Sequence, residues 1–222
     1  MTDAAELLSV SSVVLLDFDG PVTPLMPAPA NMRATDAARQ ALTAHGTTLP
    51  DDIAATSDHL AVIRWAGKHA PDALEDVDAA CTAAEVESAR TCIPTPGAHT
   101  LLAALHEAQV WVVIVSNNAE PAIYAYIRRH KLGKYLYEVV GRPPRRPDLM
   151  KPHPYMVERA LGMARARAQD AVLIGDSVSD IEVARATGIR SIGYAKTQER
   201  GAELRAAGAD ALVHSMATLA PG

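Results

Sequence analysis

Val13-Val14-Leu15-Leu16-Asp17-Phe18-Asp19-Gly20-Pro21 is the stretch from which the rest of the chain is read. Four consecutive apolar residues read as a buried strand, and the Gly20-Pro21 pair ends it. Strand side chains alternate between faces, so Asp17 and Asp19 project the same way while Phe18 points into packing. Two carboxylates in one small space raise each other's cost of ionisation. A cation between them relieves that conflict. The plainer alternative is a strand end with two solvated, turn-forming aspartates.

Further strand-like apolar runs follow at Val110–Val115, Leu136–Val140, Ala171–Ile174, Ser191–Tyr194 and Ala211–Val213. The segments between them carry helical spacing, as in Ile123, Tyr126 and Ile127, or Val157, Ala160, Leu161 and Ala164. Strands alternating with helices predict an α/β fold, a Rossmann-like, doubly wound parallel sheet with helices on both faces. Continuously apolar strands point the same way. One interval breaks the rhythm: roughly ninety residues separate the first two strands, far more than an ordinary crossover needs. It opens on Pro21, Pro24, Pro27 and Pro29, closes on Pro94-Thr95-Pro96-Gly97, and is helical in pattern between, with Leu74, Val77, Cys81 and Ala84 in steps of three and four. Residues 24–94 are therefore expected to form a small α-helical domain inserted into a core of residues 1–23 and 95–222.

The bulk numbers narrow the function. With 222 residues, 49% hydrophobic, the chain suffices for one core plus a smaller insert. A net charge of -5 and 4% aromatic residues give no sign of a nucleic-acid surface. No run approaches membrane-spanning length, and Met1 to Val10 lacks a basic leader, its apolar part running on into the first strand. Cys81 and Cys92 form no metal pattern, and Cys81 continues an apolar helical stripe. A reduced, cytoplasmic compartment is the expectation, with the protein a monomer or homodimer.

Ligands of open α/β sheets gather at the carboxyl ends of the strands. After the second strand stand Ser116-Asn117-Asn118, just before a helix that opens at Glu120-Pro121, where free amides favour an anion. Proline at 152 holds Lys151 extended in a stiff loop. After the fourth strand comes Gly175-Asp176-Ser177-Val178-Ser179-Asp180. Ser177 with Asp180 reads as a helix capping box, which needs no chemistry. Asp176 is not required by that box; with Asp17 and Asp19 it offers three oxygens to a hard cation, suiting Mg²⁺. Each residue also has a bland role, Ser116 as a cap and Lys151 as a solvated lysine.

In this order, at successive strand ends, the residues resemble the haloacid dehalogenase superfamily of phosphatases and phosphotransferases, in particular its phosphoglycolate phosphatase-like members with a helical cap. Asp17-Phe18-Asp19-Gly20 matches the first motif, Ser116 the second, Lys151 the third, and Gly175 to Asp180 the fourth, and the likeness covers residues 12–214. The resemblance implies a Mg²⁺-dependent phosphatase acting on a small phosphorylated metabolite. Asp17 would be the nucleophile, forming an aspartyl-phosphate, and Asp19 the general acid and base. Asp17, Asp176 and the Asp19 carbonyl would hold the metal; Ser116, Asn117 and Lys151 the phosphoryl group; Asp180 and Ser177 would support from behind. The chain departs from the usual pattern at Pro21, which fixes its own φ and removes an amide donor.

Dehalogenation needs neither an acid at Asp19 nor a metal-type Asp176. A phosphomutase keeps all four motifs, and a silent binding protein on the same fold is the alternative from another class. Specificity is expected on the cap face over Asp17, with Arg64, Trp65, Lys68 and His69 as candidates and Arg33 and His59 behind them; each also reads as an ordinary solvated side chain. The Arg142-Pro143-Pro144-Arg145-Arg146-Pro147 stretch lies before Lys151 and could meet an anionic substrate as it enters, but it reads more simply as a stiff solvated connection. The histidines show no metal-ligand spacing.

Overall fold

The computed structural model describes residues 3–220, so the outermost residues of the expected core, 1–2 and 221–222, lie outside the described residues. Six strands form one sheet: β1 (Val13–Leu16), β2 (Trp111–Val115), β3 (Glu138–Val140), β4 (Ala171–Gly175), β5 (Arg190–Tyr194) and β6 (Ala211–Val213). Their order is β3-β2-β1-β4-β5-β6, and every pairing is parallel. This is the doubly wound arrangement, in which the strand order reverses beside β1 and leaves a crevice at the carboxyl ends.

Both faces of the sheet are dry. Val14, Leu16 and Phe18 join one core with Val112, Ile114 and Ile174, while Val13 and Leu15 join a second core with Val113, Val115 and Leu173. Alternation thus sends neighbouring residues of one strand to opposite apolar layers, which is why β1, β2 and β4 show no polar side. Helices α6 (Ala98–Glu107) and α7 (Glu120–His130) bring Leu101, Leu102, Ile123 and Tyr126 to the first layer. Helices α8 (Tyr155–Ala164) and α9 (Val178–Thr187) bring Met156, Val157, Val183 and Ala184 to the second. Phe18 is fully buried and meets Tyr126 edge to face with centroids 5.3 Å apart. Each such side chain contributes about 1.5–3 kcal/mol of transfer free energy.

Between β1 and α6 run four α-helices, α2 (Ala30–Ala44), α3 (Asp51–Ala55), α4 (His59–His69) and α5 (Leu74–Ala89). They pack around a core of their own, with Leu42, Ile53, Val62, Ile63, Val77 and Cys81, separate from the layers on the sheet. The segments leading in and out of this layer run side by side. Thr23 Oγ1 donates to the Ile93 carbonyl at 2.8 Å, and Thr95 donates through its backbone to Val22 at 2.9 Å and through its hydroxyl to Gly20 at 2.6 Å.

Two expectations need correction at the edges, and one helix was not foreseen. The apolar N-terminal stretch does not merge into β1: it folds as α1 (Ala4–Ser9), capped by Asp3, and Val10 stands 58% exposed before the strand begins. The third strand starts at Glu138 rather than Leu136, because a single 3-10 turn at Gly133–Tyr135 uses the preceding residues. A charged helix, α10 (Gln198–Ala207), covers the far edge; it buries only Gly201 and Leu204, too little to show a periodicity. Among the described residues no helix is long and apolar enough to cross a membrane.

Candidate active site

Register sets the site. Leu16 lies level with Ile114 and Ile174, so the residues that follow β1, β2 and β4 emerge together. Asp17 continues the ladder, its N–H donating to the Ile174 carbonyl at 2.9 Å, and the Ser116 N–H does the same to Val140 at 3.0 Å. Asp17, Asp19, Ser116, Asn117, Asn118, Lys151, Asp176 and Ser177 line one cavity of about 310 Å³, which the helical layer roofs with Asp58, Leu60 and Arg64.

Lys151 is the electrostatic centre of this cavity and is only 1% exposed, so its reading as a solvated lysine fails. Its ammonium donates to Asp17 Oδ1 at 2.9 Å, to Asp180 Oδ1 at 2.6 Å and to the Val115 carbonyl at 2.8 Å. Burial alone would lower the lysine, but the Asp17 and Asp180 carboxylates outweigh it and hold the ammonium charged. Asp17 is pushed well above the usual carboxylate range by burial and then by Asp180, with Lys151 pulling the other way.

Asp19 shares the orientation of Asp17 and is fixed by the Leu25 N–H, which donates to its Oδ1 at 2.8 Å. Burial, tempered by that amide, brings its carboxyl to about 6. The turn holding it is tight: Gly20 N–H donates to the Thr23 carbonyl at 2.8 Å, and Pro21 sits buried inside that loop. Gly20 has φ +108°, and a Cβ there would lie 2.0 Å from Asp176 Oδ2. Glycine at 20 therefore allows both the backbone conformation and the approach of Asp176 to the aspartate pair.

Carboxylate oxygens of Asp17, Asp176 and Asp180 lie within 4.8 Å of one another. An all-oxygen, crowded and largely buried set of this kind fits a hard divalent cation. Their commitments differ. Asp180 spends one oxygen on Lys151 and the other on the Ser177 N–H and hydroxyl, completing the capping box of α9. Asp176 Oδ2 takes the exposed Lys196 ammonium at 3.0 Å. The capping box and the cluster thus coexist: Asp180 faces the lysine and Asp176 faces the cavity.

Asn117 lies in the cavity wall, yet its carboxamide is occupied by the Lys151 peptide, accepting from the N–H at 2.8 Å and donating to the carbonyl at 3.2 Å. A phosphate contact from this residue would come from its backbone. Of the cap candidates, only Arg64 reaches the cavity, where its Nη2 donates to the Lys151 carbonyl at 3.1 Å. Trp65 and His69 stack on each other at 5.2 Å, and Lys68, His69 and Arg33 are exposed.

Two sequence readings are overturned here. His59 is not a solvated basic side chain: it is 4% exposed and its Nε2 lies 2.8 Å from Glu85 Oε1. Arg142 is not part of a solvated connection: it is 3% exposed, with Asp78 at 2.9 Å and Glu85 at 2.8 Å. Both follow from α5, whose Asp78 and Glu85 sit one heptad apart and face the loops after β2 and β3. Sequence reading missed these two acids. The one available signal was their spacing of seven on a helix whose other side is apolar.

Known proteins resemble this chain in sequence and in fold. The family model for haloacid dehalogenase-like hydrolases matches residues 12–188. Phosphoglycolate phosphatase of Pseudomonas fluorescens is 25% identical over 130 residues, covering 57% of this chain and 46% of that protein. Its counterpart from Pectobacterium atrosepticum is 28% identical over 122 residues, covering 54% and 50%. This chain thus spans about half the length of the curated relatives it matches. Among solved structures, CbbY from Rhodobacter sphaeroides in complex with xylulose-(1,5)bisphosphate superposes with a TM-score of 0.69 at 21% identity, over 93% of this chain and 95% of that one. A predicted phosphatase from Clostridium acetobutylicum gives 0.70 at 19%, over 95% and 96%. At these identities the structures share the fold. The chain belongs to the haloacid dehalogenase-like hydrolase family.

Proposed function

Because the chain belongs to that family, we propose that it is a Mg²⁺-dependent phosphatase that cleaves a small phosphomonoester through an aspartyl-phosphate. The observation that carries this reading is the convergence of Asp17, Lys151 and Asp176 in one small polar cavity at the switch point of the sheet. In this reading residues 1–23 and 95–222 are the catalytic core and residues 24–94 the cap domain.

A carboxylate oxygen of Asp17 bonds to phosphorus as the ester oxygen leaves, and Asp19 gives that oxygen its proton. Asp19 then removes a proton from the water that attacks the aspartyl-phosphate, releasing inorganic phosphate and restoring Asp17. A carboxyl that titrates at about 6 changes form easily near neutral pH, which suits both roles. Lys151, Ser116 and the backbone of Asn117 hold the transferring group, with Lys151 offsetting the charge spread over its oxygens. Asp17, Asp176 and the Asp19 carbonyl would hold the metal, which supplies positive charge where an anionic nucleophile meets an anionic ester. Asp180 and Ser177 keep Lys151 and the start of α9 in place.

Arg64 at the cavity wall, next to the acidic cap residue Asp58, favours a substrate with a second anionic group. The name carried by the curated relatives points to a phosphorylated small acid of the phosphoglycolate kind. The test is phosphate release from an aryl phosphate and from phosphoglycolate, with and without Mg²⁺. Turnover should require the metal and vanish in Asp17→Asn. Arg64→Ala should raise KM for the acid and leave the aryl ester unchanged. Phosphate moved between sugar positions instead of released would make the protein a mutase, and metal-independent turnover that survives Asp17→Asn would end the reading.

A further inference from the structure

Glu85 takes no part in the chemistry above, although it is wholly buried and gathers four hydrogen-bond donors. Its Oε1 accepts from His59 Nε2 at 2.8 Å, Arg142 Nη1 at 2.8 Å and Asn118 Nδ2 at 3.2 Å, and its Oε2 accepts the Ala119 N–H at 2.8 Å. Ala119 is the N-cap of α7 and has no side chain to cap with. A carboxylate from α5 performs that service across the layers, where the helix dipole also favours it.

The bond to Asn118 reaches the site. Donating Nδ2 to Glu85 turns the Asn118 Oδ1 towards Ser116, whose hydroxyl donates to it at 3.2 Å. The one hydroxyl proton of Ser116 would turn from Asn118 Oδ1 to grip phosphate, while the Asn118 N–H, 3.3 Å from Ser116 Oγ, still holds the oxygen in place. Arg142 braces the same loop from the other side: its Nη1 donates to the Asn117 carbonyl at 3.0 Å and its backbone N–H to the Asn118 carbonyl at 2.8 Å. Asn117 in turn clamps the Lys151 peptide. His59, the network's member on α4, stands between Asp58 and Leu60, both of which wall the cavity.

A buried ion pair is a poor way to gain stability, because desolvation cancels most of its attraction. Its advantage is geometric, since charged hydrogen bonds fix donors and acceptors in one arrangement. We infer that Glu85, braced by Arg142, is a positioning residue that orients Ser116 through Asn118, so that the seating of the helical layer and the ordering of the phosphate-binding loop are one event. This rests on the phosphatase reading for its purpose, but not for its measurement.

The experiment is a double-mutant cycle read by calorimetric binding of inorganic phosphate in the presence of Mg²⁺. Glu85→Gln keeps the volume, but its amide nitrogen must face donors on every side. It should weaken phosphate binding roughly tenfold in the wild-type background and less than about twofold in Ser116→Ala, since residues acting through one another are non-additive. A purely structural role predicts equal losses in both backgrounds, and that result, or no loss at all, overturns the inference. If Glu85→Gln does not fold, Asn118→Ala breaks the relay while keeping every charge and enters the same cycle with the same expectation. A wild-type protein that binds phosphate but hydrolyses no ester would defeat the proposed function and leave this cycle fully readable.

Discussion

Lys151→Met offers the sharpest test of how the site is held together. Methionine fills nearly the same length and volume but removes an ammonium that bridges two carboxylates, Asp17 at 2.9 Å and Asp180 at 2.6 Å, and a carbonyl at 2.8 Å. Both carboxylates are buried, and Asp176 stands within 4.8 Å as a third. Removing one partner of a buried pair costs about 3–5 kcal/mol, because the remaining charge is left unpaired in low dielectric. With a urea dependence of about 3 kcal/mol per molar for a chain of this size, the midpoint should fall by about 1–1.7 M. The assay is urea unfolding at pH 8 without divalent metal. The loss should shrink on acidification, since protonated carboxyls need no counter-charge, and shrink again on adding Mg²⁺, which replaces the missing cation. A midpoint within about 0.3 M of the wild type, corresponding to less than about 1 kcal/mol, would refute the view that Lys151 neutralises this cluster.

Two further outcomes follow from the geometry. Gly20→Ala places a methyl 2.0 Å from Asp176 Oδ2 at φ +108°, so it should cost roughly 2 kcal/mol in thermal unfolding and raise the Mg²⁺ needed for half-maximal turnover; an unchanged metal requirement would contradict the close approach. For Glu85, burial raises the carboxyl, but Arg142 and His59 overcome it and bring it from 4.5 to about 2. A depressed carboxyl contributes stability that is present above the unfolded value and lost as pH falls through the folded one. The wild type should therefore lose about 3 kcal/mol between pH 5 and pH 2 that Glu85→Gln does not lose; parallel acid-unfolding profiles would count against the network.

Much of the fold was legible because it depends on local rules. Continuous apolar runs marked five of the six strands to within a residue at each end, since a strand buried on both faces has no polar side to confuse the pattern. Spacing of three and four identified the seam of α5, with Leu74, Val77 and Cys81 buried. The elements that escaped notice, α1 and α10, are short or charged and depend on tertiary contacts more than on their own periodicity.

Asp17, Asp19, Ser116 and Asp176 could be picked out in sequence because each follows a strand, and parallel strands in register deliver their carboxyl ends to one place; Lys151 stood out by Pro152, in the loop before α8. That linear order already implied the site. What only the tertiary structure decided is which charges are buried against which. Lys151 is an internal counter-ion and not a solvated arm, and Arg142 and His59 close on Glu85, a residue more than fifty positions from one and over twenty from the other. Burial is a property of packing between distant segments, and a charged residue carries the same letter whether water or another charge surrounds it.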